Sequence, residues 1–173
     1  MKRGQVWIET VIYTLVAFIM IGLVLAYAKP KIDEMKDKAI IEQSIGVLET
    51  IHSKILDVEQ KGVGNKREIE VGLSKGQIEI NGESDQIVFE VDSTYTYSEP
   101  EKEISQGDVD VYTRKLGSLN KVNLTLNYTG KYNITYSGGD TIKTITKAST
   151  PYKVFVSNSG ISGGKTIINI EVE

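Results

Sequence analysis

Residues 5–28, QVWIETVIYTLVAFIMIGLVLAYA, decide how the rest of the chain is read. From residue 10 to residue 28 there are 19 positions without a charged side chain, close to the roughly 20 that a helix needs to cross a bilayer. Lys2 and Arg3 precede the run, which favours a cytoplasmic N-terminus and an exported C-terminus. A secretory signal has a shorter apolar core, roughly 7–15 residues, followed by an A-x-A-like site. Ala26-Tyr27-Ala28 imitates such a site, but the run is too long and its helical pattern continues straight through. The stretch predicts a spanning helix that the protein keeps.

Glu9 is the discordant residue. A carboxylate in an apolar span costs on the order of 3 kcal/mol unless it is paired or close to the interface. One turn inside the headgroup region it snorkels, which is the ordinary account of a lone acid in an anchor. Gly4 supplies a second account. Cleavage between Gly4 and Gln5 would free an α-amino group at Gln5 and place Glu9 at the fifth mature position. The positive terminus and the carboxylate then neutralise each other, within one chain or between neighbours packed in register. Cyclisation of a freed Gln5 would delete that positive partner.

Lys2-Arg3-Gly4 followed by Gln5-Val6-Trp7-Ile8-Glu9 and a long apolar helix resembles the class III (prepilin) signal of type IV pilin-like proteins, particularly archaeal ones. The adhesive-pilin pattern runs Q-x-S-x-E-x-x-L; here Trp7 stands at the Ser position and Ile12 at the Leu position. Archaellins, the related swimming-filament subunits, usually lack the Glu, so Glu9 points to the pilin side. The resemblance covers about residues 1–60. It implies a leader of residues 1–4, removed by a prepilin peptidase. It also implies assembly through Gln5 and Glu9, and a helix whose first half packs in a filament core while its second half lies against the subunit's own head.

Beyond the apolar run, Ile41, Ile45, Leu48, Ile51, Ile55 and Val58 recur at steps of three and four, the stripe of an amphipathic helix. Ile32, Met35 and Ala39 extend it backwards. Asp33, Lys36, Asp37, Glu42, Glu49, Lys54 and Glu59 read as the solvated face. Pro30 should kink this helix rather than end it. Continuous from residue 5 to residue 60, it would run about 84 Å, with an apolar part over 5–28 and a striped part over 29–60. Lys61-Gly62-Val63-Gly64-Asn65 ends it. The stripe lacks the sustained heptads of a coiled-coil stalk and stops where strands begin, so it predicts helix-on-sheet packing. His52 lies beside the stripe and reads as a partly buried structural residue, because no second His or Cys exists to complete a metal site.

From Arg67 the apolar period becomes two. Ile69, Val71 and Leu73 alternate with polar residues, as do Val122, Leu124, Leu126 and Tyr128. Asn81-Gly82 marks a hairpin between 77–80 and 86–91, and further strands read at 109–111, 132–136, 141–147, 152–157 and 166–173. Residues 93–106 read as an exposed loop that separates the early hairpin from the later sheet. The fold class is therefore α+β: a long N-terminal helix followed by an antiparallel β-sandwich-like head over 66–173.

Composition removes whole classes of function. With 173 residues there is room for one domain and a long extension, and a net charge of −3 argues against a general nucleic-acid binder. The absence of cysteine excludes a disulfide scaffold and thiolate chemistry. No nucleotide, metalloprotease, nucleophile-elbow or EF-hand motif occurs, so no enzyme, cofactor or metal is expected. Asp108 and Asp110 are too few carboxylates for Ca²⁺, and Glu68 and Glu70 read as the wet face of a strand. Asn123, Asn127 and Asn133 each begin an N-x-T acceptor and alternate with apolar residues, so all three are expected to face outward as N-glycosylation positions.

Together these readings predict a structural subunit of an archaeal type IV pilus-like extracellular filament. Its partners would be copies of itself or a few paralogous pilins, the prepilin peptidase and a membrane assembly platform. It would sit in the cell membrane as precursor and on the cell surface, for instance in adhesion, when assembled. Two other readings use the same residues: a non-polymerising membrane anchor with an exported β domain, and a minor or stator-like component of a pilus or archaellum.

Overall fold

The computed structural model describes residues 2–173, with side chains from Trp7 onward. Helix α1 covers Lys2–Lys61 and continues through Pro30. Proline lacks an N–H to donate within the helix, yet regular turns on both sides carry it. Gly62 ends α1 because it adopts φ +86°, which a side chain resists, and its amide bonds Glu59 O at 3.2 Å. Asn65 Nδ2 then caps Lys61 O at 2.9 Å and Gly62 O at 3.0 Å.

The chain divides into two compact units, Met1–Lys36 and Asp37–Glu173. The first is helical. Its large apolar residues from Trp7 to Tyr27 are all exposed, and the helix is long and apolar enough to cross a membrane. Ile32, Met35 and Ala39, expected on the buried stripe, are exposed as well.

The second unit adds ten strands to residues 37–61 of α1. In chain order they are β1 (Lys66–Val71), β2 (Gln77–Asn81), β3 (Gln86–Ser93), β4 (Glu103–Gln106) and β5 (Val109–Leu116). Then follow β6 (Leu119–Asn127), β7 (Tyr132–Tyr136), β8 (Ile142–Thr146), β9 (Tyr152–Ser162) and β10 (Lys165–Val172). They form a four-stranded sheet, β1-β9-β10-β7, and a six-stranded sheet, β4-β5-β6-β3-β2-β8. The fold is the α+β arrangement that the change of period predicts. All pairings are antiparallel except β7 with β10, which run parallel. That exception follows from chain routing: β8 lies in the other sheet, so the chain re-enters beside β7 through β9 and β10.

Two further differences concern residues 93–106. They do not separate the early hairpin from a later sheet, because β3 pairs directly with β6. Residues 103–106 also form an edge strand rather than loop. All four are exposed, so no apolar alternation marks them, and backbone pairing with β5 alone makes the strand.

The stripe on α1 is buried as expected: Ile41, Ile45, Leu48, Ile51, Ile55 and Val58 belong to one apolar cluster with both sheets. Ile51 lines one small apolar cavity together with Val71, Val154 and Ile170 from the four-stranded sheet and Ile78, Ile80, Ile87 and Ile145 from the six-stranded one. Each such side chain contributes about 1.5–3 kcal/mol when fully buried, so the helix is a third wall of the core. Asp85 fixes the β2–β3 loop. At φ +56° it accepts the Ile134 amide at 2.9 Å and lies 3.4 Å from Lys165 Nζ, tying the β2–β3 loop to β7 and β10.

Candidate functional site

The residues expected to matter fall into three places. At the N-terminus, Met1 and the side chains of residues 1–6 lie outside those described, and with them the Gly4–Gln5 position. Glu9 is described. It is exposed on an exposed apolar helix, and the Tyr13 hydroxyl, one turn on, donates to its Oε1 at 3.5 Å. The spacing of four puts both on one face, so the carboxylate has a donor within its own helix. Thr14 Oγ1 folds back to Thr10 O at 2.8 Å in the same region.

The acceptors lie in the head and are not equivalent. Asn127 is exposed at the end of β6, where its Oδ1 accepts the Thr129 amide at 3.0 Å. Its amide nitrogen is left to solvent. Asn123 points from the centre of β6 to the outer face, but between Tyr112 and Glu90 on neighbouring strands. It is only half exposed, and its Oδ1 is buried without a hydrogen-bond partner. Asn133 on β7 is also half exposed. Alternation in the strand sets the face; the neighbouring strands set the access.

The third place is built around His52. Its Nδ1 lies 2.9 Å from the Tyr128 hydroxyl, and the two rings stack with centroids 5.8 Å apart. Nε2 lies 3.6 Å from Asp108 Oδ2 on the β4–β5 turn. An Nε2–H tautomer aims its proton at Asp108 and leaves Nδ1 to accept the Tyr128 O–H. Burial, and then the nearby Tyr132 and Asp108, push the Tyr128 phenol well above its ordinary range, the opposite of what a nucleophile needs. His52 is thus a partly buried residue that pins helix, turn and strand together. Beside it, Glu49, Ser53, Leu56, Gln60 and Gly107 line an open cleft of about 530 Å³. Asp57, on its edge, is held by Arg67 Nε at 2.5 Å. Asp108 and Asp110 do not converge: Asp110 accepts the Ser105 hydroxyl at 2.7 Å instead. Among the described residues no group of three or more His, Cys, Asp or Glu side chains is placed to hold a metal ion.

The fold buries one residue that the pattern assigned to water. Asp37 is buried, with its side chain 9% exposed. Its Oδ1 takes the Lys75 ammonium at 2.5 Å, and its Oδ2 takes the Thr94 amide at 2.6 Å and hydroxyl at 2.9 Å. Burial alone would raise the carboxyl. The bonds from Lys75 and Thr94 outweigh it and hold the group below the usual carboxylate range. The signal was its position four residues before Ile41, on the buried face itself.

No protein-family model, curated protein or solved structure matches the chain.

Proposed function

We propose that the protein is a structural subunit of a type IV pilus-like filament, matured by cleavage between Gly4 and Gln5. The single observation that carries this reading is the division of α1. From Trp7 to Tyr27 its large apolar side chains are uniformly exposed, whereas from Ile41 to Val58 its apolar stripe is consumed by the core of the head. An apolar helix of that kind needs a solvent other than water, and two are available: lipid, and copies of itself. Packed apolar helices replace lipid at little hydrophobic cost, so complementary packing and the placing of polar groups decide the alignment. Glu9, with Tyr13 as its donor, is the charged group in that span.

In this reading the precursor sits in the membrane with its N-terminus cytoplasmic and its head outside. The peptidase trims residues 1–4, and the platform moves the helix from bilayer to filament core. The head coats the fibre, presents its contacts for adhesion and carries glycan. Copies of the chain or paralogous pilins are the partners.

Mass spectrometry of the native N-terminus, together with electron microscopy of sheared surface material, tests this. The expected species begins at Gln5, free or cyclised, and occurs in filaments. An intact Met1, or a terminus near Ala28, would overturn the reading in favour of a non-polymerising anchor. Scarce subunits in filaments built mainly of another pilin would make the protein a minor component.

A further inference from the structure

We propose that the heads of neighbouring copies join head to tail, the tip of the β5–β6 hairpin of one copy seating in the His52 cleft of the next. The contact involves heads alone and goes beyond the filament reading.

The cleft offers carboxylates and an apolar patch. Glu49 makes no ion pair among the described residues, and Asp108 is exposed beside His52. Leu56 supplies the apolar wall. The hairpin tip offers the counterpart. Arg114 and Lys115 are exposed, and Lys115 makes no ion pair among the described residues. Between Leu116 and Leu119, 49% and 41% exposed, only Gly117 and Ser118 form the turn. Two leucines held in water beside two cations are matched by a leucine beside two carboxylates, which is complementarity of both kinds.

Placement makes the match propagate. Asp108 immediately precedes β5 and Leu116 ends it, so cleft and tip lie at opposite ends of one strand, roughly 25 Å apart. The tip lies at the Asp37 end of the head, since Asn120 pairs with Ser93, next to the Thr94 that bonds Asp37. The cleft begins at Glu49, about 18 Å further along the helix. A patch that meets a different patch at the far end of its neighbour makes a heterologous, head-to-tail contact, which runs on as an open row unless the rotation between copies closes it into a ring. Exposed charges contribute weakly in each contact and are screened by salt, but a row of tethered copies multiplies them.

Because the chain contains no cysteine, introduced thiols report this contact directly. In the full-length protein in its native membrane or filament, a Ser53→Cys/Ser118→Cys double variant should give a ladder of dimers, trimers and longer species on mild oxidation. Each single variant should stay monomeric. Adding Arg114→Glu and Lys115→Glu should lower the cross-linked fraction at least fivefold, and adding Glu49→Lys and Asp108→Lys to those should restore it. No ladder from the double variant, dimers from Ser118→Cys alone, or a ladder indifferent to charge reversal would each overturn the proposal. Filaments without a ladder sink this contact and leave the filament reading standing. A ladder from protein that keeps Met1 does the reverse.

Discussion

The Asp37 carboxylate and the Lys75 ammonium lie 2.5 Å apart, joining α1 to the β1–β2 loop, and Asp37's second oxygen holds Thr94 beyond β3. Asp37 is the first residue of the compact head, so a buried carboxylate with three donors stands where the head begins. Removing it would leave the Thr94 amide and the Lys75 ammonium without an acceptor, at about 1–3 kcal/mol for the orphaned donors. Asp37→Ala should lower the head's thermal midpoint by several degrees, measured by circular dichroism. Asp37→Asn, which can still accept one bond, should lower it less.

The same residue sets a pH dependence. Its folded pKa is lowered, so its stabilisation is present above the unfolded value near 4 and is lost as pH falls through the folded one. The wild-type advantage over Asp37→Asn should be full at pH 7, shrink below about pH 5 and vanish in stronger acid. Thermal midpoints of the two proteins at pH 7 and pH 3 check this; a constant gap contradicts it.

Tyr128 should act at the other end of the scale. Its folded phenol ionises above the unfolded value near 10, so its contribution is whole below pH 10 and fades as pH rises beyond it. Tyr128→Phe should remove part of that alkaline loss. At neutral pH it should cost about 1 kcal/mol, because His52 Nδ1 loses the Tyr128 hydroxyl as its hydrogen-bond partner. Ultraviolet titration with chemical denaturation reads both effects.

Access should order the glycan positions. Asn127, exposed and with its amide oxygen already engaged by Thr129, should be occupied, while Asn123 between Tyr112 and Glu90 should stay bare. Glycopeptide mass spectrometry of protein from its native cell decides between them, and Thr129→Ala should abolish the Asn127 signal.

Within the span, Glu9→Gln should leave membrane insertion intact and reduce filament yield at least tenfold. Tyr13→Phe should reduce it by a smaller factor, since it removes the donor but not the charge. Equal filament yields from wild type and Glu9→Gln would remove the assembly role given to Glu9.

Two glycines should respond in opposite directions. Gly76 has φ +80°, and a Cβ there would stand 2.5 Å from Glu90 O and 2.9 Å from the Phe89 ring. Gly76→Ala should therefore cost about 2–4 kcal/mol. Gly46, mid-helix with nothing within 4 Å of its Cβ position, should gain up to about 1 kcal/mol as Gly46→Ala. Denaturant midpoints of the two variants settle the signs.

Much of this was legible in the chain because local chemistry repeats. The stripe from Ile41 to Val58 predicts its own burial, since a helix brings every third or fourth residue to one face whatever it meets. The alternation around Leu124 and Leu126 likewise predicts a strand with a wet side. The length and apolarity of residues 7–27 by themselves mark a helix able to cross a membrane. What the sequence could not carry was pairing. The parallel union of β7 with β10, the edge strand 103–106 and the direct contact of β3 with β6 are set by backbone hydrogen bonds, which every residue type except proline offers alike. Asp37 reads as solvated until Lys75 and Thr94, 38 and 57 residues away, are brought to it. Asn123, Asn127 and Asn133 share a motif and part company only where neighbouring strands crowd them. Composition and period determined the elements; the tertiary structure decided which polar groups left water, because only distant neighbours can replace it.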